Sequence, residues 1–420
     1  MRLSIFIRTK RSLRIATVIL LSAGALVFGQ TAPEHRIGVR VVNGSGRFYD
    51  RATGQEFVPR GNNYIRLTTH HSTFDPGLYD AARSRAAFRR MHADGYNIVR
   101  VFLNAGAMAD PGGGLSAAYL RNLTDFLRQA RANRIYVLIA AESVPAGKYS
   151  GILQRENAQF QGYNLHHLAR SGLDANRLFF QDLVRGLLRL HAPLDAIFAY
   201  ELRNELFFET NLRPFTLTSG KITTANGETY DMANPQDKQR MAEENLPYWM
   251  DQLRDSIRTL DPAALVTCGF FHPQKPNPSR IGDARLVTTY PAIWKSHADF
   301  IDLHMYPGVE LTVKQYAENF QINGMREKPL LMGEFGAFTH IFPTVDAAAR
   351  ALVAAQIESC RYGFSGWLLW TWDTEEQLSR DRERPLLFTA TGGQGQIEKA
   401  LAPAVRPGAC TPADSGRGHP

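Results

Sequence analysis

Short apolar segments alternate with amphipathic segments over most of the chain. The apolar segments are NNYIRL, NIVRVFL, IYVLIAA, AIFAYEL, ALVTCGFF, DFIDLHMY, PLLMGEF and SGWLLW. Short apolar runs of this kind are typical of buried strands, and buried strands that alternate with helices are typical of parallel sheets. Eight such units predict a (β/α)8 TIM barrel.

Three of the intervening segments show clear helix signals. Residues 119–134 repeat apolar residues at spacings of three and four and end in basic residues, which suit a helix C-terminus. Residues 176–191 show the same pattern before the fourth strand. Residues 344–363 begin at a threonine, a good N-cap, and end at a glycine. These segments predict helices that pack around the barrel.

The remaining segments predict how the barrel is bounded. Residues 40–61 contain alternating residues and glycine turns, which predict a short β-hairpin at the bottom of the barrel. We assign residues 38–402 to a single catalytic barrel, because no repeat or linker divides them. Residues 403–420 are rich in Pro, Gly and Ala and predict a loose C-terminal tail. Long segments after strands three, four and five predict the loops of the substrate face: residues 141–175, 206–234 and 271–282.

The first 29 residues have the layout of an export signal. Residues 1–14 carry five basic residues and no acid, and residues 15–29 form an apolar run that ends in small residues. This pattern predicts a secretory signal peptide cleaved near Gln30, and hence a secreted or periplasmic protein. An uncleaved N-terminal membrane anchor is the alternative, because the basic region is long.

Composition places the rest of the chain among ordinary globular proteins. The chain is 44% apolar and 21% charged. Its formal charge of +8 includes the five leader charges, and subtracting these leaves +3. There is no basic cluster with interleaved aromatic residues and no glycine-rich phosphate loop after a strand, so we expect neither a nucleic-acid partner nor a nucleotide cofactor. We expect a monomer. We also expect no metal, since the histidines lack the spacing of metal ligands.

The three cysteines are too few for a disulfide scaffold and lack the spacing of a zinc site. Cys268 lies in an apolar strand and is expected to be a buried small hydrophobe. If a bridge forms, we expect it to join Cys360 to Cys410 and to hold the C-terminal segment in an oxidising compartment.

Polar residues cluster where predicted strands end, which is the catalytic face of a barrel. Asn204 and Glu205 follow strand four, His304 and Tyr306 end strand six, and Glu334 ends strand seven. A single glutamate after a strand is more often a cap or an ion-pair partner. Two carboxylates that face one cleft are, however, what glycoside hydrolysis needs.

The motifs at these strand ends resemble glycoside hydrolase family 5, the cellulase and mannanase family of clan A. The similarity covers about residues 38–402 and rests on six motifs in the family's order. They are RGNNY, GYNIVRVF, YELRNE, DLHMY, GEFG and GWLLWTWD. The resemblance implies a retaining hydrolase of β-linked glucan- or mannan-type saccharides that uses two glutamates and no cofactor.

The resemblance also implies a role for each matching residue. Glu205 would be the general acid/base, and Glu334 would be the nucleophile. Arg100 and Tyr306 would keep Glu334 ionised by charge and by hydrogen bonding, whereas apolar neighbours of Glu205 would favour its protonated form. The supporting residues are His304 beside the acid/base, Asn204 on the sugar 2-hydroxyl, and Trp370 rather than Trp372 as the floor under the sugar.

Several features depart from the family pattern and leave questions open. Leu206 stands where a proline usually follows the acid/base. Many members place a histidine after strand three, and here Glu142, His166 or His167 could fill that space. Glu201 is expected to be a structural barrel residue. A transglycosylase or an inactive carbohydrate-binding barrel are the alternative functions; release of product from a dyed polysaccharide would distinguish an enzyme from a binder.

Overall fold

This computed structural model describes most of the chain after the predicted leader. The described residues are 36–65, 71–271, 294–308, 311–322, 325–372 and 387–411, with the backbone of 285–287. The predicted leader (1–29) and residues 412–420 of the predicted tail lie outside them. None of the helices within this part of the chain is both long and apolar enough to cross a membrane.

Within the described residues, a nine-stranded parallel sheet forms the centre of the fold. In chain order its strands are β3 (Arg60–Asn63), β4 (Ile98–Leu103), β5 (Tyr136–Ala141), β6 (Ile197–Glu201), β10 (Val266–Thr267), β11 (Gly269–Phe270), β13 (Ile301–His304), β14 (Leu330–Phe335) and β16 (Phe364–Leu369).

The sheet closes into a barrel because its two edge strands, β10 and β11, belong to one segment of the chain, which occupies the fifth position. Strands β10 and β11 are separated only by Cys268, yet β10 pairs with β6 and β11 pairs with β13. Every neighbouring pair between them is parallel, in the order β6-β5-β4-β3-β16-β14-β13. The eight predicted apolar segments each supply one position, so the predicted (β/α)8 barrel is confirmed.

The helices surround the barrel and bury their apolar faces against it. They are α1 (Ala81–Ala93), α2 (Ala105–Met108), α3 (Ala117–Ala132), α4 (Lys148–Leu153), α5 (Tyr163–Leu168), α6 (Arg170–Arg189), α7 (Pro235–Arg258), α8 (Val313–Asn319), α9 (Val345–Ser359) and α10 (Gln396–Leu401). As predicted, α9 is capped by the Thr344 side chain, which accepts from Ala347 N–H. The chain then leaves the last turn through Gly363 at φ 90°, a conformation that favours glycine.

The N-terminal hairpin closes the bottom of the barrel. Its strands β1 (Ile37–Val42) and β2 (Ser45–Asp50) pair antiparallel. Phe48 inserts between Phe198 and Phe300, with ring centroids 5.2 Å from each. These rings belong to a buried cluster formed near the N-terminal ends of the barrel strands. The hairpin prediction is therefore confirmed, and the opposite end of the barrel is the one available for a functional site.

Shorter strands lie outside the barrel, in the connections above it. They are β7 (Phe207–Glu209), β8 (Lys221–Thr223), β9 (Thr229–Asp231), β12 (Arg285–Val287), β15 (Ala337–Phe338) and β17 (Leu387–Phe388). Three of them, β7, β8 and β9, lie in the long connection predicted after strand four, and β8 and β9 pair there as a second hairpin. The long connection after strand three carries α4 and α5, and most of the predicted loop 271–282 lies outside the described residues.

Residues 403–411 pack against the barrel through two buried arginines and a disulfide. Arg60 of β3 donates to the carbonyl oxygens of Leu401 and Arg406. Arg406 in turn donates to Gln356 Oε1 at 2.9 Å. A disulfide joins Cys360 to Cys410, the pairing expected from the sequence, whereas Cys268 is free and buried. The expectation of a loose tail therefore does not hold for residues 403–411, and residues 412–420 lie outside the described part of the chain.

The disulfide gives the first testable prediction. Cys360→Ser/Cys410→Ser should lower the free energy of unfolding by about 4 kcal/mol, because the bridge closes a loop of 50 residues in the unfolded chain. Urea unfolding with and without reductant measures the effect. The reductant should destabilise the parent protein and leave the double variant unchanged; equal stability of the two proteins without reductant would contradict the prediction.

Candidate active site

The seven residues singled out by sequence converge at the C-terminal end of the barrel. Arg100 lies within β4, His304 ends β13 and Glu334 lies near the end of β14. The other four lie just beyond strand ends: Asn204, Glu205, Tyr306 and Trp370. Since parallel strands bring all their C-termini to one rim, residues far apart in sequence meet here.

Arg100 is fully buried, and all five of its N–H groups are used. Nε and Nη2 donate to the two oxygens of Glu201, each at 2.7 Å. Nη1 donates to Glu334 Oε1 at 2.6 Å and to Asn63 Oδ1 at 2.9 Å. Nη2 donates its second hydrogen bond to Asn204 Oδ1. One guanidinium therefore orients two carboxylates and two amides.

This cluster has more carboxyl groups than positive charges, since Arg100 pairs with both Glu201 and Glu334. Burial disfavours the guanidinium, but Glu201 and Glu334 together raise the pKa of Arg100 well above its usual value. Burial also raises the pKa of Glu201 to about 7, although Arg100 acts in the opposite direction. The cation is therefore permanent, whereas the carboxyl groups around it compete for ionisation.

Glu334 is held by both of its oxygens. Arg100 binds Oε1, and Tyr306 donates its hydroxyl to Oε2 at 2.6 Å. Burial and the neighbouring Glu334 raise the pKa of Tyr306 well above 10, so the phenol keeps its proton and remains a donor. These two hydrogen bonds fix the carboxylate in one orientation.

Glu205 has a different environment, although it lies close by. Its side chain is 34% exposed, and its Oε1 lies 3.0 Å from His304 Nδ1. The following residues Leu206, Phe207 and Phe208 are buried. The apolar run after Glu205 thus anchors the loop in the core, and the carboxylate itself reaches the cleft.

The two glutamates are near neighbours. A carboxylate oxygen of Glu205 and one of Glu334 lie within 4.8 Å of each other, with His304 Nδ1 within the same distance of both. The separation of Nδ1 from Glu334 Oε1 is 3.6 Å. One carboxylate is therefore clamped and buried while the other is open to solvent, which is how two like groups acquire different roles.

Asn204 is held between Arg100 and Glu142. Its Oδ1 accepts from Arg100, and its Nδ2 donates to Glu142 Oε1 at 2.7 Å. The other oxygen of Glu142 pairs with Arg203 Nη1 at 3.0 Å. Glu142 therefore lies beside the site after strand three, in the space for which the sequence left three candidates.

His166 and His167 lie near Glu142, and all three line one small cavity. His167 is buried and packs edge-on against Trp249, with ring centroids 5.0 Å apart. Burial lowers the pKa of His166 to about 4 and that of His167 well below its usual value, so both rings are neutral. Of the three candidates, it is Glu142 that hydrogen-bonds Asn204.

On one side of the cleft, two rings pack against the ring of Phe102. Trp370 is partly exposed and meets the Phe102 ring edge-on at 5.7 Å. His71 stacks on the same ring at 4.8 Å, and its Nε2 lies 3.9 Å from Glu142 Oε1. Trp372, the alternative platform, is only 3% exposed. Its burial makes Trp370 the better placed of the two to meet a sugar.

Sequence reasoning missed Asp302, which lies beneath the site. It is fully buried on β13, two residues before His304. Its carboxyl group, that of Glu201 and a ring nitrogen of His304 lie within 4.8 Å of one another. Burial and Glu201 raise the pKa of Asp302 well above its usual value. The DLHMY motif contained this residue, and strand alternation, which puts residues 302 and 304 on the same face, was the signal that could have found it.

Within the described residues, two groups of side chains have the donor types and spacing to hold a cation. They are Glu201, Asp302 and His304, which are buried, and Glu205, His304 and Glu334 in the cleft. In each group Arg100 already neutralises one carboxylate, which reduces the attraction for a second cation. In the cleft group, hydrogen bonds to His304, Arg100 and Tyr306 account for the positions of both carboxylates.

Comparisons with known proteins agree with this geometry. Residues 51–376 match the model of the family described as Cellulase (glycosyl hydrolase family 5). No curated protein matches the chain by sequence.

Solved structures share the fold at low sequence identity. An endo-1,4-β-mannanase from Rhizomucor miehei superposes with a TM-score of 0.59 at 14% identity, covering 87% of this chain and 99% of its own. A family 5 mannosidase from the same organism gives 0.57 at 13%, covering 88% and 98%. An exo-β-1,4-mannosidase from Opitutaceae bacterium strain TAV5 gives 0.55 at 17%, covering 87% and 62%. With a family match over most of the barrel and a site at its C-terminal rim, the chain belongs to glycosyl hydrolase family 5.

Proposed function

We propose that this glycoside hydrolase cleaves β-linked mannan- or glucan-type saccharides with retention of configuration. The observation that carries the proposal is the distance between Glu205 and Glu334, whose nearest oxygens lie within 4.8 Å. Retaining enzymes have carboxyl groups about 5 Å apart, whereas inverting enzymes leave about 6.5–9.5 Å for a water molecule. The names of the structural neighbours favour inclusion of mannans in the substrate class.

In the first step, Glu334 attacks the anomeric carbon while Glu205 protonates the departing oxygen. Arg100 and Tyr306 hold the attacking carboxylate in one orientation, so little reorganisation is needed. Glu205 is partly exposed and can reach the glycosidic oxygen at the open side of the cleft. A glycosyl ester forms on Glu334, and the aglycone leaves with the proton of Glu205.

In the second step, Glu205 acts as the base. Its carboxylate takes a proton from a water molecule, which attacks the anomeric carbon and releases Glu334. Asn204 assists in both steps, because Glu142 takes one hydrogen of its amide and leaves the other for the sugar 2-hydroxyl. Trp370 provides an apolar surface against the sugar ring.

We also propose that the protein is exported. The basic and apolar leader (1–29) supports export. The Cys360–Cys410 disulfide supports it independently, since disulfides persist mainly in oxidising compartments. Fractionation of cells that express the full chain, with N-terminal sequencing of the product, distinguishes a cleaved leader from a membrane anchor.

Glu334→Gln should reduce kcat by about 10⁴-fold or more, because the amide cannot form the glycosyl ester. The amide keeps the shape of the side chain, so the fold should survive. Steady-state kinetics on an aryl β-mannoside and an aryl β-glucoside measure the effect. A folded variant that retains more than a tenth of the activity would remove Glu334 from the role of nucleophile.

Glu205→Ala should slow the hydrolysis of substrates with poor leaving groups by about 10²–10⁴-fold, because they need proton donation. Activated aryl glycosides should lose much less in the first step. Azide should then restore turnover on activated substrates and give a β-glycosyl azide, since it attacks the glycosyl enzyme without a base. Equal losses on both substrate types, or an α-glycosyl azide, would count against the retaining mechanism.

Arg100→Met should move the acidic limb of the kcat/KM profile to higher pH. Loss of the positive charge disfavours the ionised carboxylate of Glu334, so a lower proton concentration is needed to ionise it. Arg406→Met is the matched control, because Arg406 is also buried but contacts the C-terminal segment. The control should lose stability and keep its acidic limb; an unmoved limb in folded Arg100→Met would refute the role of Arg100.

A further inference from the structure

Asp302 is a buried acid to which the reaction described above gives no role. It is fully buried at the barrel axis, on the strand that carries His304. The space for its carboxyl group exists only because residue 333 is a glycine: a Cβ there would lie 2.0 Å from Asp302 Oδ1. Gly333 immediately precedes Glu334, so the acid occupies a gap directly beneath the catalytic carboxylate.

The nearby cation has no hydrogen bond left for Asp302. Arg100 commits its five N–H groups to Glu201, Glu334, Asn63 and Asn204. One positive charge thus already serves two carboxylates. A third buried carboxylate would be uncompensated, which is costly in a site of low dielectric. A proton on Asp302 removes that charge, in agreement with the raised pKa of this group.

His304 lies between this acid and the acid/base. Its Nδ1 lies 3.0 Å from Glu205 Oε1, and its Nε2 lies 3.9 Å from Asp302 Oδ1. The second distance exceeds a hydrogen bond by about 1 Å, and such contacts commonly shorten when a substrate binds. Of the other ionisable groups around the ring, Glu334 lies 3.6 Å from Nδ1 and Glu201 lies on the buried side.

We propose that Asp302 is a positioning residue that acts on Glu205 through His304, because its protonated carboxyl group donates a hydrogen bond to Nε2. A neutral imidazole that accepts at Nε2 must carry its hydrogen on Nδ1, and Nδ1 then donates to Glu205 Oε1. In this arrangement the O–H group at the other oxygen of Glu205 protonates the leaving group. This assignment rests on the proposed role of Glu205 as acid/base.

The opposite protonation states of Asp302 and His304 would impair Glu205 as a proton donor. An ionised Asp302 would draw the imidazole hydrogen to Nε2, and Nδ1 would then present a lone pair to Glu205. A proton on Glu205 would turn toward that lone pair and away from the substrate. Alternatively, a doubly protonated His304 would stabilise the Glu205 carboxylate and oppose proton transfer. A neutral Asp302 avoids both outcomes.

The tautomer of His304 can be read without turnover. Long-range ¹H–¹⁵N NMR of the resting protein with labelled histidine reports which ring nitrogen carries the hydrogen, and His304→Gln identifies the signal. We expect the hydrogen on Nδ1 in the parent protein and in Asp302→Asn, whose amide can also donate. In Asp302→Leu, which offers no donor, we expect a mixture of tautomers. A hydrogen on Nε2 in the parent protein, or an unchanged signal in Asp302→Leu, would overturn the proposal.

Kinetics provide the second readout. Asp302→Leu should lose about tenfold in kcat/KM on substrates with poor leaving groups and less on activated aryl glycosides, and Asp302→Asn should restore the loss. Asp299→Asn is the matched control, because Asp299 pairs with Arg254 and Arg258 away from the cleft. It should change neither readout. Equal losses on both substrate types in Asp302→Leu would overturn the proposal.

The two readouts separate this proposal from the proposed function. If Glu205 is not the acid/base, Glu205→Ala will show no dependence on the leaving group, whatever the NMR spectrum reports. If only the role of Asp302 is wrong, Glu205→Ala will behave as expected and the His304 signal will not. If Asp302→Leu does not fold, the spectra of the parent protein and Asp302→Asn still decide.

Discussion

The arrangement of the site depends on a single buried guanidinium. Arg100 makes five hydrogen bonds to four side chains from three barrel positions: Asn63 on β3, Glu201 on β6 with Asn204 beyond it, and Glu334 on β14. Each bond fixes a direction as well as a distance, because the guanidinium is planar and its donors form a rigid fork. Loss of this residue would leave two buried carboxylates without a counter-charge, which costs several kcal/mol.

The same interaction distributes charge among the acids. Glu201 and Glu334 bind the cation directly, whereas Asp302 lies close to them without a share of its hydrogen bonds. Glu205 lies outside the cluster, is partly exposed and contacts His304 instead. Four carboxyl groups of similar intrinsic acidity thus occupy four environments, and their positions relative to Arg100 underlie the different roles proposed for Glu334 and Glu205.

The rest of the fold supports the barrel that carries this cluster. The N-terminal hairpin seals the bottom of the barrel with Phe48, and the segment beyond α10 is fastened to β3 and α9 by Arg60, Arg406 and the disulfide. These contacts hold the strands whose ends carry the proposed catalytic groups. Rigid strands give a more precise site than mobile loops do.

The sequence by itself determined the barrel, the order of its strands and the rim at which the chemistry lies. Strand and helix periodicity depend on local spacing, which the chain displays directly. Six motifs at strand ends then indicated Glu205, Glu334 and their neighbours. The expected contact between Arg100 and Glu334 is present, because strand position alone placed both side chains at the barrel axis.

Only the tertiary structure decided which neighbours share that axis. Arg100 binds Glu201 with two hydrogen bonds, Glu142 rather than His166 or His167 meets Asn204, and Asp302 fills the gap over Gly333. Each of these contacts joins strands or loops that are distant in sequence. A pattern along one strand shows which side chains point inward, but it does not show how closely two inward side chains approach. That approach depends on the stagger of the strands around the closed barrel, and stagger is a property of the whole sheet.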